Sequence, residues 1–426
     1  MIAEVVAVGS ELLLGQITNS NARTIYEALA SAGADVAWHT AVGDDLERLT
    51  AVLRLALSRA EVVVICGGLG PTHDDLTREG IAAATGRALE RRSELVAALE
   101  ERFARMGRRM AGSNLRQAEL PLGAQTIPNP AGTAPGVYLE HEGRRLYALP
   151  GVPLELAGML EGFVVPSVRH ATGGAPLRTR VLRTSGITES ELAGRIAWAV
   201  ERVAPGGAGH PRLAILASEG EVRLTLTAPE GSPADAEAGE LAAAMAADLG
   251  TLVYGDASAT LAGVVLSGLR SRGLSLAVAE SLTGGMLASR LVDVPGASAT
   301  LVAGYVAYSA EAKMRDLAVP AETIRQHGLV SEETARAMAV GARERAGASV
   351  ALSTTGEAGP LPAEAEVGTV CIGIAWEGGT ALEAGATAWT GRMPGTRALI
   401  RSRTATSALN RLRLWLLEQP GPGAGG

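Results

Sequence analysis

One lysine stands in a chain that otherwise meets every need for a cation with arginine: Lys313 is the only lysine among 426 residues. Arginine stays protonated to above about pH 12, whereas a lysine desolvated beside a hydroxyl can be tuned towards neutrality and act as a base. Lys313 closes the run Gly304-Tyr305-Val306-Ala307-Tyr308-Ser309-Ala310-Glu311-Ala312-Lys313, which reads as the end of a strand and the start of a helix. A hydroxyl partner for it is offered by Ser281-Leu282-Thr283-Gly284-Gly285, where an expected strand at 274–279 turns into a helix. A serine on such a turn is exposed above its sheet. Gly284 and Gly285 would let backbone N–H groups approach an anion or an oxyanion at the helix N-terminus. The plainer readings are a capping serine with helix-starting glycines, and a lysine on a solvated helix face.

Two further loops fit the same chemistry. Thr354-Thr355-Gly356-Glu357-Ala358-Gly359-Pro360 follows a strand at 350–353 and supplies hydroxyls and glycine at a strand end. Gly395-Thr396-Arg397 opens the last helix, with Arg401 and Thr404 one and two turns on, so Arg397 is a candidate phosphate clamp. An ordinary turn and an ordinary surface arginine are the alternatives.

The first third carries a different candidate. Cys66-Gly67-Gly68-Leu69-Gly70-Pro71-Thr72-His73-Asp74-Asp75 follows a strand at 62–65 and precedes a helix. Glycines at a strand end permit close approach of a phosphate, and adjacent aspartates can hold a hard cation that bridges phosphate oxygens. A tight turn in which Asp75 caps the next helix would look the same. None of the six histidines forms a paired metal-binding motif, which favours an oxygen-liganded ion over a zinc-type site.

Elements that could hold these loops are legible in the periodicity. Strands at 4–8, 35–39 and 62–65 alternate with helices at 21–32 and 46–59, the βαβ pattern of a parallel sheet whose ligands lie beyond the strands' carboxyl ends. A strand at 145–149 and a helix over 154–170 close this segment at Gly173-Gly174. Residues 177–254 read as a small α+β module with a Gly-Pro-rich stretch at 205–211. The third segment resumes α/β alternation with a helix at 261–272, strands at 274–279, 298–308, 350–353 and 368–376, and a closing helix at 396–418. The expected domains are 1–172, 173–257 and 258–419, with a disordered Gly-Pro-rich tail at 420–426. The fold class is α/β: two α/β domains joined by a small α+β module.

Composition narrows the function classes. At 47% hydrophobic and 19% charged the chain has ample material for packed cores. A net charge of -7 gives no general footprint for nucleic acid or anionic lipid. Cys66 and Cys371 lie in apolar runs and read as reduced core residues, and no apolar run reaches membrane-spanning length, so a soluble cytoplasmic protein is expected.

The motifs together resemble the competence/damage-inducible CinA family. In the third segment the resemblance rests on residues 279–285, the Ala-Tyr-Ser-X-X-X-Lys core ending at Lys313, His327-Gly328-Leu329-Val330-Ser331, the loop from Thr355 to Pro360 and the helix with Arg397 to Thr404. It implies a nicotinamide mononucleotide deamidase that needs no metal. Ser281 would be the nucleophile and Lys313 its base. Thr283, Tyr308, Thr355 and Gly356 would position substrate and oxyanion, with Gly284, Gly285 and Tyr305 in the substrate site and Arg397 on the phosphate.

In the first segment the resemblance rests on residues 9–15, Asn19, Asn21, Asp44-Asp45, the Cys66 loop, Asn114, residues 129–136 and 150–155. It implies a molybdopterin-binding fold with metal-dependent ADP-ribose pyrophosphatase activity. Asp44, Asp75 and Glu11 would bind a divalent ion of magnesium or cobalt type, with or without a monovalent cation beside it. Gly67, Gly68, Gly70, Thr72, Asn114, Gly132 and Thr133 would cradle phosphates.

The middle module resembles a KH-like domain without a clear Gly-X-X-Gly loop, which leaves RNA binding unsupported. A homodimer is expected. Glu357 replaces a usually apolar residue, the connection at 361–366 is short and acidic, Thr396 replaces an acidic residue, and Ser10 stands where many relatives have aspartate. These departures keep open a protein active only at its N-terminal site. A non-enzymatic adaptor in competence or DNA repair is the third reading.

Overall fold

Short apolar runs that are buried on both faces can only be central strands of a covered sheet, and two such runs organise this chain. The computed structural model describes residues 1–173, 175–203, 209–362, 364–378 and 384–419. Contacts divide it into one unit of residues 1–178 with 228–235 and a second of residues 179–227 with 236 onward.

In the first unit the strands are β1 (Ile2–Val8), β2 (Asp35–Val42), β3 (Val62–Cys66), β4 (Leu89–Arg91), β5 (Glu119–Pro121), β6 (Gln125–Ile127), β7 (Gly136–His141) and β8 (Arg144–Leu149). Six of them form a sheet in the order β2-β1-β3-β8-β7-β6, and β4 pairs with β5 as a separate ribbon. β1, β2, β3 and β8 are parallel, while the β6–β7 and β7–β8 pairs are antiparallel, joined by the loop at 128–135 and a tight turn at 142–143 rather than by helices. β3 is Val-Val-Val-Ile-Cys, buried throughout, and aims the Cys66 glycine loop out of the sheet at its carboxyl end. Asn19 and Asp45 cap the flanking helices Ser20–Ser31 and Leu46–Arg59 by accepting the amides of Ala22 and Arg48, so Asp45 is a structural residue. The helix expected over 154–170 is three pieces: Pro153–Met159, a π-turn Leu160–Val164 and Val165–Thr172. Pro166 has no N–H to give the preceding turn, which accounts for the widened ladder there.

The middle sheet has the order β10-β11-β9-β12, from β9 (Leu177–Ser185), β10 (Arg212–Ser218), β11 (Glu221–Pro229) and β12 (Val253–Gly255). The stretch at 204–208, Gly174 and the tail at 420–426 lie outside the described residues. The last sheet has the order β14-β13-β15-β16-β17, from β13 (Leu276–Glu280), β14 (Leu301–Val306), β15 (Val350–Gly356), β16 (Thr369–Trp376) and β17 (Gly385–Arg392). Its parallel part is β14, β13 and β15; β16 and β17 return antiparallel, so the third segment is not parallel throughout. No helix among the described residues is long and apolar enough to cross a membrane. Cys66 and Cys371 are buried and unpaired with each other.

Candidate active sites

β13 and β15 lie side by side, with Glu280 opposite Thr354, so the loops that follow them emerge together. Ser281 donates its backbone N–H to the Thr354 carbonyl at 2.9 Å, which holds it at the sheet edge. Lys313 comes from the helix Ala310–Leu317, whose start is fixed by Ser309 accepting the Ala312 amide at 3.2 Å. Its ammonium donates to Ser281 Oγ at 3.0 Å and to the Ala307 carbonyl at 3.1 Å. Lys313 is 1% exposed and Ser281 is 7% exposed. Among the described residues no carboxylate is bonded to the ammonium, and burial pulls the Lys313 pKa down to about 8 against a smaller opposing pull from Glu364.

A cavity of about 230 Å³ opens beside this pair, lined among others by Tyr308, Leu329, Thr355, Gly356, Glu357, Glu364 and Arg397. Arg397 donates to the Gly359 carbonyl at 2.6 Å and to the Tyr308 hydroxyl at 2.8 Å, closing one side of the cavity. Thr355 is spoken for, since its hydroxyl donates to the Leu329 carbonyl at 2.7 Å.

Four expected residues do not reach the cavity. Thr283 is fully buried, and its hydroxyl shares a 2.7 Å hydrogen bond with Thr354 behind the loop. Tyr305 packs against the apolar cluster of Ala277, Ala279 and Met338. Gly284 and Gly285 make the left-handed turn, with φ of 59° and 93°, but do not present an open anion site. The Glu280 carboxylate already accepts the amides of Gly285, Leu287 and Ala288 at 2.8–3.0 Å, so the N-terminus of the helix Met286–Val292 carries its own internal anion. The amides left over are those of Leu282 and Thr283, which donate to no protein acceptor among the described residues. Arg401, noted in the sequence only as a neighbouring cation, donates to the carbonyls of Leu282 and Thr283 at 2.9 and 2.8 Å and so fixes the peptide planes beside the serine.

The glycine loop of the first unit borders a larger cavity of about 580 Å³. Gly67, Gly68, Gly70, Thr72, Thr133, Glu11, Asp44 and Asp75 all line it, as do Asn21, Cys66 and Gln117. Gly67 and Gly68 have φ of 106° and 67°, and a Cβ on either would collide with the Val8 carbonyl or the Thr77 hydroxyl, so glycine is required by the protein's own packing. Arg78 and Arg116 hold the loop from behind: Arg78 donates to the carbonyls of Leu69 and Gly70, and Arg116 to that of Thr72 and to Glu79. The Cys66 thiol is pushed up to about 11 by burial, which makes it a poor nucleophile.

Asn114 does not line this cavity. It is buried and donates to Gln117, which in turn reaches Thr133 at 3.3 Å. Gly132 lies on a smaller neighbouring cavity, with the Glu155 carboxyl packed against its α-carbon. The three expected metal ligands share one cavity but are not gathered into a cage, and no three acidic, histidine or cysteine side chains converge that way among the described residues. Asp75 accepts the amides of Gly70 and Thr72 at 2.7 and 2.8 Å and the Thr72 hydroxyl. Asp44 accepts the Ser10 amide at 2.8 Å, and Glu11 folds over Gly9.

Fold and sites define a protein of the α/β class with a cavity beyond the carboxyl ends of the strands in each of two sheets, one of them built on a buried serine–lysine contact. Residues 4–170 match the family model of a probable molybdopterin binding domain, residues 179–255 that of the damage-inducible protein CinA KH domain and residues 258–416 that of the CinA C-terminal domain. A CinA-like protein of Frankia casuarinae is 46% identical over 429 residues, covering 99% of this chain and 97% of the relative. A putative competence-damage inducible protein of Symbiobacterium thermophilum is 45% identical, covering 98% and 99%. The solved structure of a CinA protein of unknown function from Thermoplasma acidophilum is 34% identical, with a TM-score of 0.37, covering 39% of this chain and 97% of that one. The chain belongs to the CinA family.

Proposed function

We propose that the C-terminal site hydrolyses the carboxamide of nicotinamide mononucleotide to nicotinate mononucleotide and ammonia. The observation that carries this reading is the 3.0 Å contact between Lys313 Nζ and Ser281 Oγ in a buried setting. Once the ammonium has lost a proton, the same contact runs the other way and the amine accepts the serine proton. Ser281 Oγ then attacks the carboxamide carbon, and the amide of Leu282, which lines the cavity, is the donor available to the tetrahedral oxyanion. Lys313 returns the proton to the departing nitrogen, which leaves as ammonia. Water, deprotonated by Lys313, cleaves the resulting ester and frees the carboxylate and the serine. Arg397 offers its guanidinium to the nucleotide phosphate. Ammonia release from nicotinamide mononucleotide tests this: Ser281→Ala and Lys313→Arg are each expected to remove it, because arginine keeps the charge without the titratable amine. Turnover that survives either substitution defeats the assignment.

For the first unit we infer a metal-assisted pyrophosphatase acting on ADP-ribose. Among the described residues its lining presents the carboxylates of Glu11, Asp44, Asp74, Asp75 and Glu155 and no lysine or arginine, which favours a pyrophosphate that enters with a cation to neutralise it. A divalent ion would be held by Asp44 and Glu11 together with the substrate's own phosphate oxygens, the usual manner of magnesium, and would supply charge neutralisation.

A further inference from the structure

The serine–lysine cavity contains charges of both signs. Lys313 and Arg397 line it, and so do Glu357 and Glu364. Glu364 is tied to the cavity wall, its carboxylate accepting the Leu329 amide at 2.7 Å, next to the carbonyl that Thr355 binds. Glu357 is half-buried and accepts the amide of Gly359, the residue whose carbonyl Arg397 holds. Neither carboxylate serves the acyl transfer described above. Both oppose the phosphate and the oxyanion, and Glu364 also works against neutralisation of Lys313. A cavity that had only to bind a phosphate and polarise an amide would be better without them.

A substrate whose ring carries a fixed positive charge reverses that balance. A carboxylate within about 4–6 Å of a cation stabilises it by roughly ten- to thousandfold in an equilibrium constant. Tyr308 adds an aromatic ring to the same lining, and an aromatic face is the other common partner of a cation that cannot donate hydrogen bonds. We propose that Glu357 and Glu364 make this site selective for an amide carried on a cationic, oxidised pyridinium ring over the same amide on a neutral ring. The proposal rests on the amidase reading of the site. It gives the acidic departure from the family pattern at Glu357 a role in choosing the substrate's charge.

The test is calorimetric titration of Ser281→Ala protein with nicotinamide mononucleotide and with its dihydro form, which has the same amide and phosphate on an uncharged ring. The oxidised ligand is expected to bind at least about tenfold tighter. Adding Glu357→Gln and Glu364→Gln should bring the ratio close to one by weakening the oxidised ligand alone. Glutamine keeps an acceptor for the Leu329 and Gly359 amides, and thermal melts of each variant check that the fold is retained. A ratio unmoved by the two substitutions, or equal weakening of both ligands, overturns the proposal. Hydrolysis by the native protein together with equal binding of both rings defeats charge selection and leaves the amidase reading standing. Absence of both hydrolysis and binding removes the two together.

Discussion

Because burial holds the Lys313 pKa at about 8, about one molecule in ten carries the neutral amine at pH 7. Amide hydrolysis should therefore rise with pH through about 8 and level off above it, read as kcat/KM against pH; a profile flat from pH 6 to 9 would exclude this lysine as the base. The same shift bears on stability. The unfolded chain binds the lysine proton up to about 10.5 and the folded chain only to about 8, so folding gains stability as pH rises between those values. Below that window the buried ammonium costs on the order of 1–3 kcal/mol after its two hydrogen bonds are allowed for. Lys313→Met is thus expected to raise Tm at pH 7 by a few degrees while abolishing turnover, and the gain should shrink towards pH 10.5. Ser281 and Lys313 were legible in the sequence because a lone lysine near a serine turn is a contrast of residue types. Glu280 and Arg401 were not, since their partners are backbone amides and carbonyls, which every residue has.

The helix Ala310–Leu317 reaches its place only because another helix, Glu332–Ala346, lets it approach closely. A Cβ on Gly341 would lie 1.7 Å from the Leu317 carbonyl oxygen, a backbone atom that cannot swing away. Gly341→Ala should push the lysine-bearing helix off the sheet, costing about 2–3 kcal/mol and lowering kcat more than it changes KM. Gly194→Ala, in the helix Glu189–Arg195 where a Cβ meets nothing within 4 Å, is the control and should stabilise by up to about 1 kcal/mol. Equal Tm for the two variants would sink the packing argument. At this scale the parallel core was readable from doubly buried apolar runs such as β3 and β13. β17 was not, because it shows one mostly solvated face and only Ala388 is buried in it. The antiparallel return of β16 was equally hidden: periodicity gives strands but not their direction, and only the lack of a crossover helix between Gly356 and Thr369 decides it.

On the scale of the whole chain, the two candidate sites lie in different compact units and differ in the charges that line them. The charged groups lining one cavity are all carboxylates, whereas the other sets Lys313 and Arg397 beside Glu357 and Glu364, and the acyl transfer proposed there runs through a desolvated amine. The cavities therefore differ in what they need from solution, and the two activities should separate cleanly. Chelation of divalent ions should remove ADP-ribose cleavage while leaving ammonia release from nicotinamide mononucleotide within about twofold, and Ser281→Ala should do the reverse. Asp44→Asn gives the same separation without a chelator, since Asp44 lines only the first cavity and its amide analogue can still accept the Ser10 N–H. Loss of ammonia release on chelation would mean that the serine–lysine site depends on an ion after all. Pyrophosphate cleavage that persists in chelator would mean that the glycine loop, with Arg78 and Arg116 behind it, carries the anion by backbone dipoles and a cationic field alone.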